Sequence, residues 1–242
     1  MVKTYKYGKH LSQVGDLYLP DHDCLGTICL FHGGFWKMPY DRFQLNDIST
    51  ALVHMGYAVW NIEYRRTGEV ESYWKDPFED AILSFKYLKQ LKTENPHMNV
   101  EHITVAGHSA GGHLALWLSS QNTGILNAHY IGMAPILDLE TAYHEEAGGD
   151  SVFQLLHGMP LDYPERYKYG SPIEQIEMAQ NQLILHGVQD EAVPLEWSRA
   201  YIKKAANMGK DFKLIEIDNC DHMAFVNPDS NAFKVFINCL SN

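Results

Sequence analysis

A serine set in a strand–turn–helix pattern is the first candidate for chemistry in this sequence. The apolar run 103–106 ends at Gly107, Ser109 follows two residues later, and a helical pattern begins within five residues of that serine. In a G-x-S-x-G elbow the serine adopts a strained backbone conformation, so its neighbours must be glycine or very small. Gly107, Ala110 and Gly111 meet that demand. Ser109 is therefore the candidate nucleophile.

Two further side chains could activate this serine. A serine hydroxyl needs a base to take its proton and a third group to orient that base. Asp190 follows the strand pattern QLILH, and His222 follows the strand pattern FKLIEI. Ligand sites of open α/β sheets lie at the carboxyl ends of parallel strands, where Ser109 also stands, so we expect the three side chains to meet. Asp190 is preferred as the acid because it fits an H-G-x-x-D pattern; the other acids near these loops are Glu191, Asp218 and Asp221.

A pair of adjacent glycines after another predicted strand could bind a negative charge. Gly33 and Gly34 follow the apolar pattern GTICLF. Adjacent glycines leave the backbone free to turn its N–H groups toward an oxyanion, where each donor contributes about 3 kcal/mol in a dry site. Each feature alone also has an ordinary structural explanation, such as a turn or a core histidine. Together, in order and at four strand ends, they favour catalysis.

The elements that must position these residues alternate between strands and helices. Strand patterns lie at 16–19, 26–31, 57–64, 103–106, 129–134, 182–186 and 212–217, and helical patterns lie at 45–55, 76–92, 110–120, 194–208 and 229–240. This alternation predicts an α/β fold with a mostly parallel central sheet and helices on both faces. Turn-forming residues collect between about 138 and 180. That segment is predicted to be an irregular insertion that acts as a small cap or lid.

Composition limits the class of protein further. A chain of 242 residues and 27.6 kDa fits one domain, 1–242, that needs no disulfide or metal for stability. The net charge of -11 argues against nucleic acid or an anionic membrane as a partner, because both favour clustered Lys and Arg. The sequence shows no secretory signal or membrane span, so we expect a cytoplasmic protein. Neither metal-ligand spacing of the cysteines nor a phosphate-binding glycine motif occurs, so no metal and no cofactor are expected.

The chain resembles the α/β-hydrolases of the small esterase and lipase type over nearly its whole length. The segments that carry the resemblance, in order, are LYLP, HGGFW, EYRR, GHSAGGHLALWL, HGVQDEAVP and DHMAF. The pairing of HGGFW with GHSAG is especially similar to arylformamidase-like and acetyl-esterase-like members. The resemblance implies an α/β-hydrolase fold with Ser109 as nucleophile, His222 as base and Asp190 as the orienting acid.

The same resemblance assigns the residues around the oxyanion. It implies that the backbone N–H groups of Gly34, Phe35 and Ala110 form the oxyanion hole. Where many lipases have a third glycine this chain has Phe35, which keeps the N–H group but places a ring near the acyl pocket. We therefore expect Phe35 and Trp36 to bind the substrate and to favour short acyl groups.

These residues predict a serine hydrolase, carboxylesterase-like, that cleaves small short-acyl esters through an acyl-enzyme on Ser109. The partner is then a small-molecule ester or amide. An arylformamidase is the alternative enzyme, and a noncatalytic binding module on a hydrolase scaffold is the alternative from another class. The physiological substrate, the conformation of the lid and the oligomeric state stay open, with a homodimer among the options.

Overall fold

An eight-stranded sheet forms the centre of the computed structural model, which describes residues 2–125 and 127–240. The strands are β1 (Val2–Lys6), β2 (Val14–Tyr18), β3 (Gly26–Phe31), β4 (Tyr57–Ile62), β5 (Ile103–His108), β6 (His129–Met133), β7 (Gln182–Gly187) and β8 (Lys213–Ile217). Their spatial order is β1-β2-β4-β3-β5-β6-β7-β8. The two pairings of β2 are antiparallel, and all the others are parallel. The predicted, mostly parallel α/β sheet is confirmed.

Helices cover both faces of this sheet. They are α1 (Asn46–His54), α2 (Asp76–Lys86), α3 (Leu88–Glu94), α4 (Ala110–Leu118), α5 (Leu139–His144), α6 (Ser151–Leu156), α7 (Pro164–Gly170), α8 (Leu195–Asn207) and α9 (Asn231–Asn238). Helices α1 and α9 pack in one buried apolar cluster, and the others pack in a second cluster across the sheet. The strands alternate between the clusters, as Ile28 and Cys29 do, because successive side chains of a strand point to opposite faces.

The register of the parallel strands brings four loops to one edge of the sheet. Phe31 at the end of β3 pairs with Gly107 near the end of β5. Gly187 at the end of β7 pairs with Ile217 at the end of β8. The glycine pair, the serine elbow, and the loops of Asp190 and His222 all follow these ends, so the fold gathers them on the side where α/β sheets bind ligands.

Several local predictions need correction. Strand β1 was not predicted, and the helix expected over 76–92 is divided at Tyr87 into α2 and α3. The segment 138–180 contains α5, α6, α7 and a 3-10 turn at Pro172–Glu174. Helices of only six or seven residues carry too little periodicity to be recognised in sequence.

Two kinds of feature, a membrane-spanning helix and a cluster of metal ligands, are absent from the described residues. None of the helices among them combines the length and the apolar character that crossing a lipid bilayer requires. No group of three or more His, Cys, Asp or Glu side chains in the same part of the chain could hold a metal ion.

Candidate active site

Ser109 lies in a strained turn between β5 and α4. Its backbone has φ 55° and ψ -118°, a conformation that a non-glycine residue adopts only where the surrounding structure enforces it. A Cβ atom on Gly107 would collide with the backbone of Gly111, and one on Gly111 would collide with the backbone carbonyl of Phe31. The small residues around Ser109 therefore allow α4 to pass close to β5 and β3.

His222 and Asp190 form a hydrogen-bonded pair, and the backbone of His222 contacts His108, the residue before Ser109. His222 Nδ1 lies 2.7 Å from Asp190 Oδ2. Because a carboxylate only accepts, Nδ1 carries the proton and the other nitrogen, Nε2, has a free lone pair in the neutral ring. The His222 side chain is 15% exposed, whereas that of Asp190 is fully buried. An oriented histidine with an accessible lone pair is what a general base requires.

The surroundings of Asp190 keep its carboxylate charged. Burial alone would raise its pKa, but hydrogen bonds from His186 and His222, the charge of His222 and the N–H group of Val193 together hold the pKa of Asp190 well below its usual range. The N–H groups of Ala192 and Val193 lie 2.9 and 2.8 Å from Oδ1. His186 Nε2 is nearer to the Val193 carbonyl, at 2.9 Å, than to Asp190 Oδ2, at 3.5 Å. The charged acid therefore depends chiefly on His222 and the backbone donors.

The other acids near these loops form no hydrogen bond or ion pair with His222 within the described residues. Asp221 accepts a hydrogen bond from the Ala224 N–H group and caps the 3-10 turn His222–Val226. Glu191 and Asp218 are exposed. A cleft of about 590 Å³ borders His222, and its walls are Gln189, Glu191, Ala192, Asp221, His222 and Met223. Two of these side chains are acidic and none is Lys or Arg, so the approach to His222 is negatively charged.

The backbone after β3 forms an unusual loop. Gly34, Phe35 and Trp36 have positive φ angles of 106°, 54° and 55°. The Gly33 N–H group is bound to Gln44 Oε1 at 3.0 Å. In contrast, the N–H groups of Gly34, Phe35 and Ala110 have no acceptor among the residues that the structure describes. The three backbone donors that the resemblance assigns to the oxyanion hole are therefore without an acceptor in this part of the structure, and their role stays a prediction.

The buried side chain of His32 supports this loop. From the sequence it is expected only to be an ordinary core histidine. His32 Nδ1 lies 2.7 Å from the Gly33 carbonyl oxygen, and Nε2 lies 2.8 Å from Glu63 Oε1. Both ring nitrogens therefore face an acceptor within hydrogen-bond distance. Tyr64 stacks on the ring at 4.4 Å and donates to the His32 carbonyl oxygen. His32 therefore holds the carbonyl of the peptide group whose N–H belongs to Gly34.

Glu63 is the charged partner of His32. Burial favours its neutral form, but the hydrogen bond and the charge of His32, and then the charge of Arg66, hold the pKa of Glu63 below its ordinary value. Arg66 approaches Glu63 at 3.3 Å, and the Arg42 N–H group donates to Glu63 Oε2 at 3.1 Å. The only sequence signal for this network was the acidic residue before Tyr64 in the segment EYRR.

Phe35 and Trp36 have different surroundings, and one of the two predictions is corrected. Trp36 is 0% exposed, and its indole N–H group donates to His113 Nδ1 at 3.0 Å. His113 in turn donates to the Gly170 carbonyl oxygen at 2.8 Å. The expectation that Trp36 contacts the substrate is therefore wrong, because the ring anchors the loop to the core. The ring of Phe35 is half-buried and lies against Gly148 of the 138–180 segment.

The fold and this arrangement define the class of the protein. An eight-stranded, mostly parallel sheet with a serine elbow after its central strand is the architecture of the α/β-hydrolases of esterase and lipase type. Residues 16–205 match the model of the BD-FAE family, and the chain belongs to that family.

Known proteins agree with this assignment. A truncated form of a carbohydrate esterase from gut microbiota superimposes with a TM-score of 0.82 at 20% identity, over 100% of this chain and 95% of the other. The probable carboxylic ester hydrolase LipM of Mycobacterium tuberculosis is 25% identical over 79% of this chain and 48% of its own length. The kynurenine formamidase of Meyerozyma guilliermondii is 23% identical over 80% of this chain and 76% of its own length. The chain thus spans about half the length of LipM, as it does of another curated relative.

Proposed function

We propose that this protein is a serine hydrolase of the carboxylesterase type that cleaves small esters with short acyl groups. The observation that carries the proposal is the His222–Asp190 pair, joined at 2.7 Å with one histidine nitrogen left open. His222 contacts His108, the residue directly before the strained Ser109, and the N–H groups of Gly34, Phe35 and Ala110 have no acceptor among the described residues. A nucleophile, an oriented base and oxyanion donors are together the parts that acyl transfer needs.

Each side chain then has one role in the reaction. Ser109 Oγ attacks the ester carbonyl carbon while His222 Nε2 takes its proton. The oxyanion that forms accepts hydrogen bonds from the N–H groups of Gly34, Phe35 and Ala110. His222 gives the proton to the departing alcohol, and the acyl group stays on Ser109. Water then attacks the acyl-enzyme, with His222 again as base, and the acid is released.

Asp190 orients the base and stays ionised throughout this cycle. Its carboxylate holds the proton on His222 Nδ1, which keeps Nε2 available, and it stabilises the imidazolium formed during each transfer. No cofactor takes part in the proposed reaction.

The short-acyl preference is supported by the position of Phe35. Its ring packs against Gly148 while its own N–H group is one of the proposed oxyanion donors, so we expect a longer acyl chain to meet packed atoms there. Each additional methylene gains only about 0.8 kcal/mol when it is buried. Forcing it against a packed ring costs about 1 to 3 kcal/mol. Selectivity should therefore fall steeply with chain length.

An arylformamidase is the second candidate. It is favoured by the formamidase relative, of whose length the chain covers 76%. Formyl is the smallest acyl group and suits a restricted pocket, and the same nucleophile, base and donors would serve. The two candidates differ in the leaving group, which is an alcohol in one and an aromatic amine in the other.

Labelling and a substrate series test the proposal. A fluorophosphonate should bind covalently to Ser109 in the wild type and not in Ser109→Ala. Among p-nitrophenyl acetate, butyrate, octanoate and palmitate, kcat/KM should be highest for acetate or butyrate. An aryl formamide that is cleaved faster than these esters would establish the second candidate. An optimum at octanoate or beyond would contradict the short-acyl proposal, and no labelling would favour a noncatalytic binding module.

A further inference from the structure

His108 is the last residue of β5, directly before Ser109, and its side chain contacts the turn that carries His222. Its Nε2 atom lies 2.8 Å from the carbonyl oxygen of His222. The two imidazole rings are 4.6 Å apart between centroids, with an interplanar angle of 48°. His108 is 1% exposed, and its ring also lies near Phe225, three residues beyond His222. One buried side chain therefore joins the nucleophile's strand to the turn that carries the base.

The partner of His108 determines which nitrogen carries its proton. Because a carbonyl oxygen only accepts, Nε2 is the donor and Nδ1 holds a lone pair. Burial, and then the neighbouring His222, lower the pKa of His108 to about 3, so the ring keeps one proton near neutral pH. Nδ1 is buried without a hydrogen-bond partner in the described residues. It faces Gly33, on which a Cβ atom would lie only 3.0 Å away.

A buried nitrogen without a hydrogen-bond partner lowers stability, and an apolar side chain at position 108 would not have this cost. The contribution that histidine makes at this position therefore comes from the other nitrogen, which holds the His222 carbonyl. Asp190 restrains His222 at ring atom Nδ1. A ring restrained there alone could still pivot about that hydrogen bond, and the contact with His108 adds a second restraint at the backbone.

We propose that His108 is a positioning residue that fixes the His222 turn, so that Nε2 of the base faces Ser109. This rests on the proposed function, in which His222 is the base. Misplacing a reacting group by about 1 Å is enough to lower a rate on the order of 100-fold. Loss of the His108 donor should thus act on turnover more than on substrate binding.

The test compares two replacements of His108. In His108→Met the size is retained and the donor is lost, whereas His108→Gln keeps an N–H group near the position of Nε2. We expect kcat to fall about 10- to 100-fold in His108→Met with KM changed less than about threefold, and His108→Gln to recover most of the loss. Should His108→Met not fold, His108→Asn replaces it, because its amide is too short to reach the carbonyl.

A spectroscopic readout separates positioning from stability. In protein labelled with ¹⁵N-histidine, the ring nitrogens of His222 are assigned by their absence in H222Q. The wild type and His108→Gln should show one narrow set of His222 signals, and His108→Met shifted or broadened signals, because the ring can then pivot while Asp190 keeps the proton on Nδ1. His113 provides the matched control, since it is also buried, with a pKa lowered by burial to about 4, and its Nε2 donates to the Gly170 carbonyl at 2.8 Å. His113→Met should lose stability while the His222 signals stay unchanged.

The outcomes separate this proposal from the proposed function. Normal kcat and unchanged His222 signals in His108→Met would overturn the positioning role. Equal changes of those signals in His113→Met would also overturn it, because general loosening would explain them. If the wild type neither hydrolyses esters or formamides nor reacts with a fluorophosphonate while the His222 signals follow His108 as expected, the proposed function fails and the positioning role stands.

Discussion

Two histidine–carboxylate pairs lie at the candidate active site, and they differ at one nitrogen. His222 and Asp190 are 2.7 Å apart, and His32 and Glu63 are 2.8 Å apart. The His222 side chain is partly exposed, and its Nε2 atom makes no hydrogen bond within the described residues, whereas His32 is buried and bonded at both nitrogens. His222 can therefore accept a proton at Nε2. His32 has no free nitrogen, and its role is to bind the Gly33 carbonyl.

The groups around the two carboxylates also differ in charge, because Asp190 is bound mainly by neutral donors and Glu63 lies among positively charged side chains. Asp190 is satisfied by two backbone N–H groups and by histidine rings. Glu63 lies among Arg66, Arg42 and His32, with distances of 3.3, 3.6 and 2.8 Å. A carboxylate held by neutral donors can stabilise the positive charge that its histidine gains during a reaction. A carboxylate surrounded by cations already neutralises fixed charges, so its role is structural. The same pair of residue types thus serves two roles.

The largest effect is expected at the open pair and its nucleophile. Ser109→Ala and His222→Ala should each lower kcat on the order of 10⁴-fold or more, because the parts act as one unit. The double variant should be scarcely worse than either single one. The measurement is the hydrolysis of p-nitrophenyl acetate at equal folded content by circular dichroism. Near-normal turnover of either variant would remove that residue from the proposed mechanism.

Asp190→Asn should come next. The amide favours the wrong tautomer of His222, and the loss of kcat near neutral pH should reach about 10⁴-fold at most. Steady-state kinetics of this variant beside Glu191→Gln and Asp218→Asn supply the measurement and its controls. A larger loss in either control would move the role of the acid to that residue.

Glu63→Gln should affect stability more than chemistry. Removing one partner of a buried ion pair leaves the remaining charges uncompensated, which costs about 3 to 5 kcal/mol. Urea unfolding of Glu63→Gln and Asp190→Asn compares the two pairs directly. The distinction between them would be lost if Asp190→Asn were the less stable protein and Glu63→Gln the less active one.

Acidification should lower the stability of the folded protein through its buried histidines. The pKa values of His108 and His113 are lowered to about 3 and about 4, mainly by burial. Below an unfolded pKa of about 6.5, the unfolded chain takes up protons that the folded protein does not, so stability falls as the pH falls. Each histidine contributes about 1.4 kcal/mol per pH unit, or about 2 kcal/mol between pH 6.5 and 5.

The measurement is urea unfolding at pH 7 and pH 5. His113→Gln should lose less stability between these two pH values than the wild type loses. A slope that does not change in this variant would show that His113 is not a neutral buried group in the folded protein.

The smallest expected effect lies at the loop that His32 supports. Phe35→Ala keeps the proposed oxyanion N–H group but removes the ring from Gly148, so longer acyl groups should gain about 1 kcal/mol relative to acetate. The ratio of kcat/KM for octanoate and acetate, measured in both proteins, gives this change. An unchanged ratio would place the limit on acyl length elsewhere.

The amino-acid sequence alone determined the alternation of strands and helices, and with it the fold class. Glycines around Ser109 and short apolar runs before Asp190 and His222 are local signals, because a strand or a tight turn restricts residues that are close together in the chain. The same signals placed these three side chains at the carboxyl ends of parallel strands. The His222–Asp190 contact agrees with that placement, and its part in catalysis stays a prediction.

Only the tertiary structure decided which other residues support the site. The contacts of His32 with Glu63, of Trp36 with His113, and of His108 with His222 join residues that are 31, 77 and 114 positions apart. No periodicity or turn preference reports such pairs, since each depends on how the sheet register and the packed loops bring distant segments together. Trp36 is an example, because its neighbours Phe35 and Lys37 are only half-buried while its own ring is buried and donates a hydrogen bond to His113 of α4.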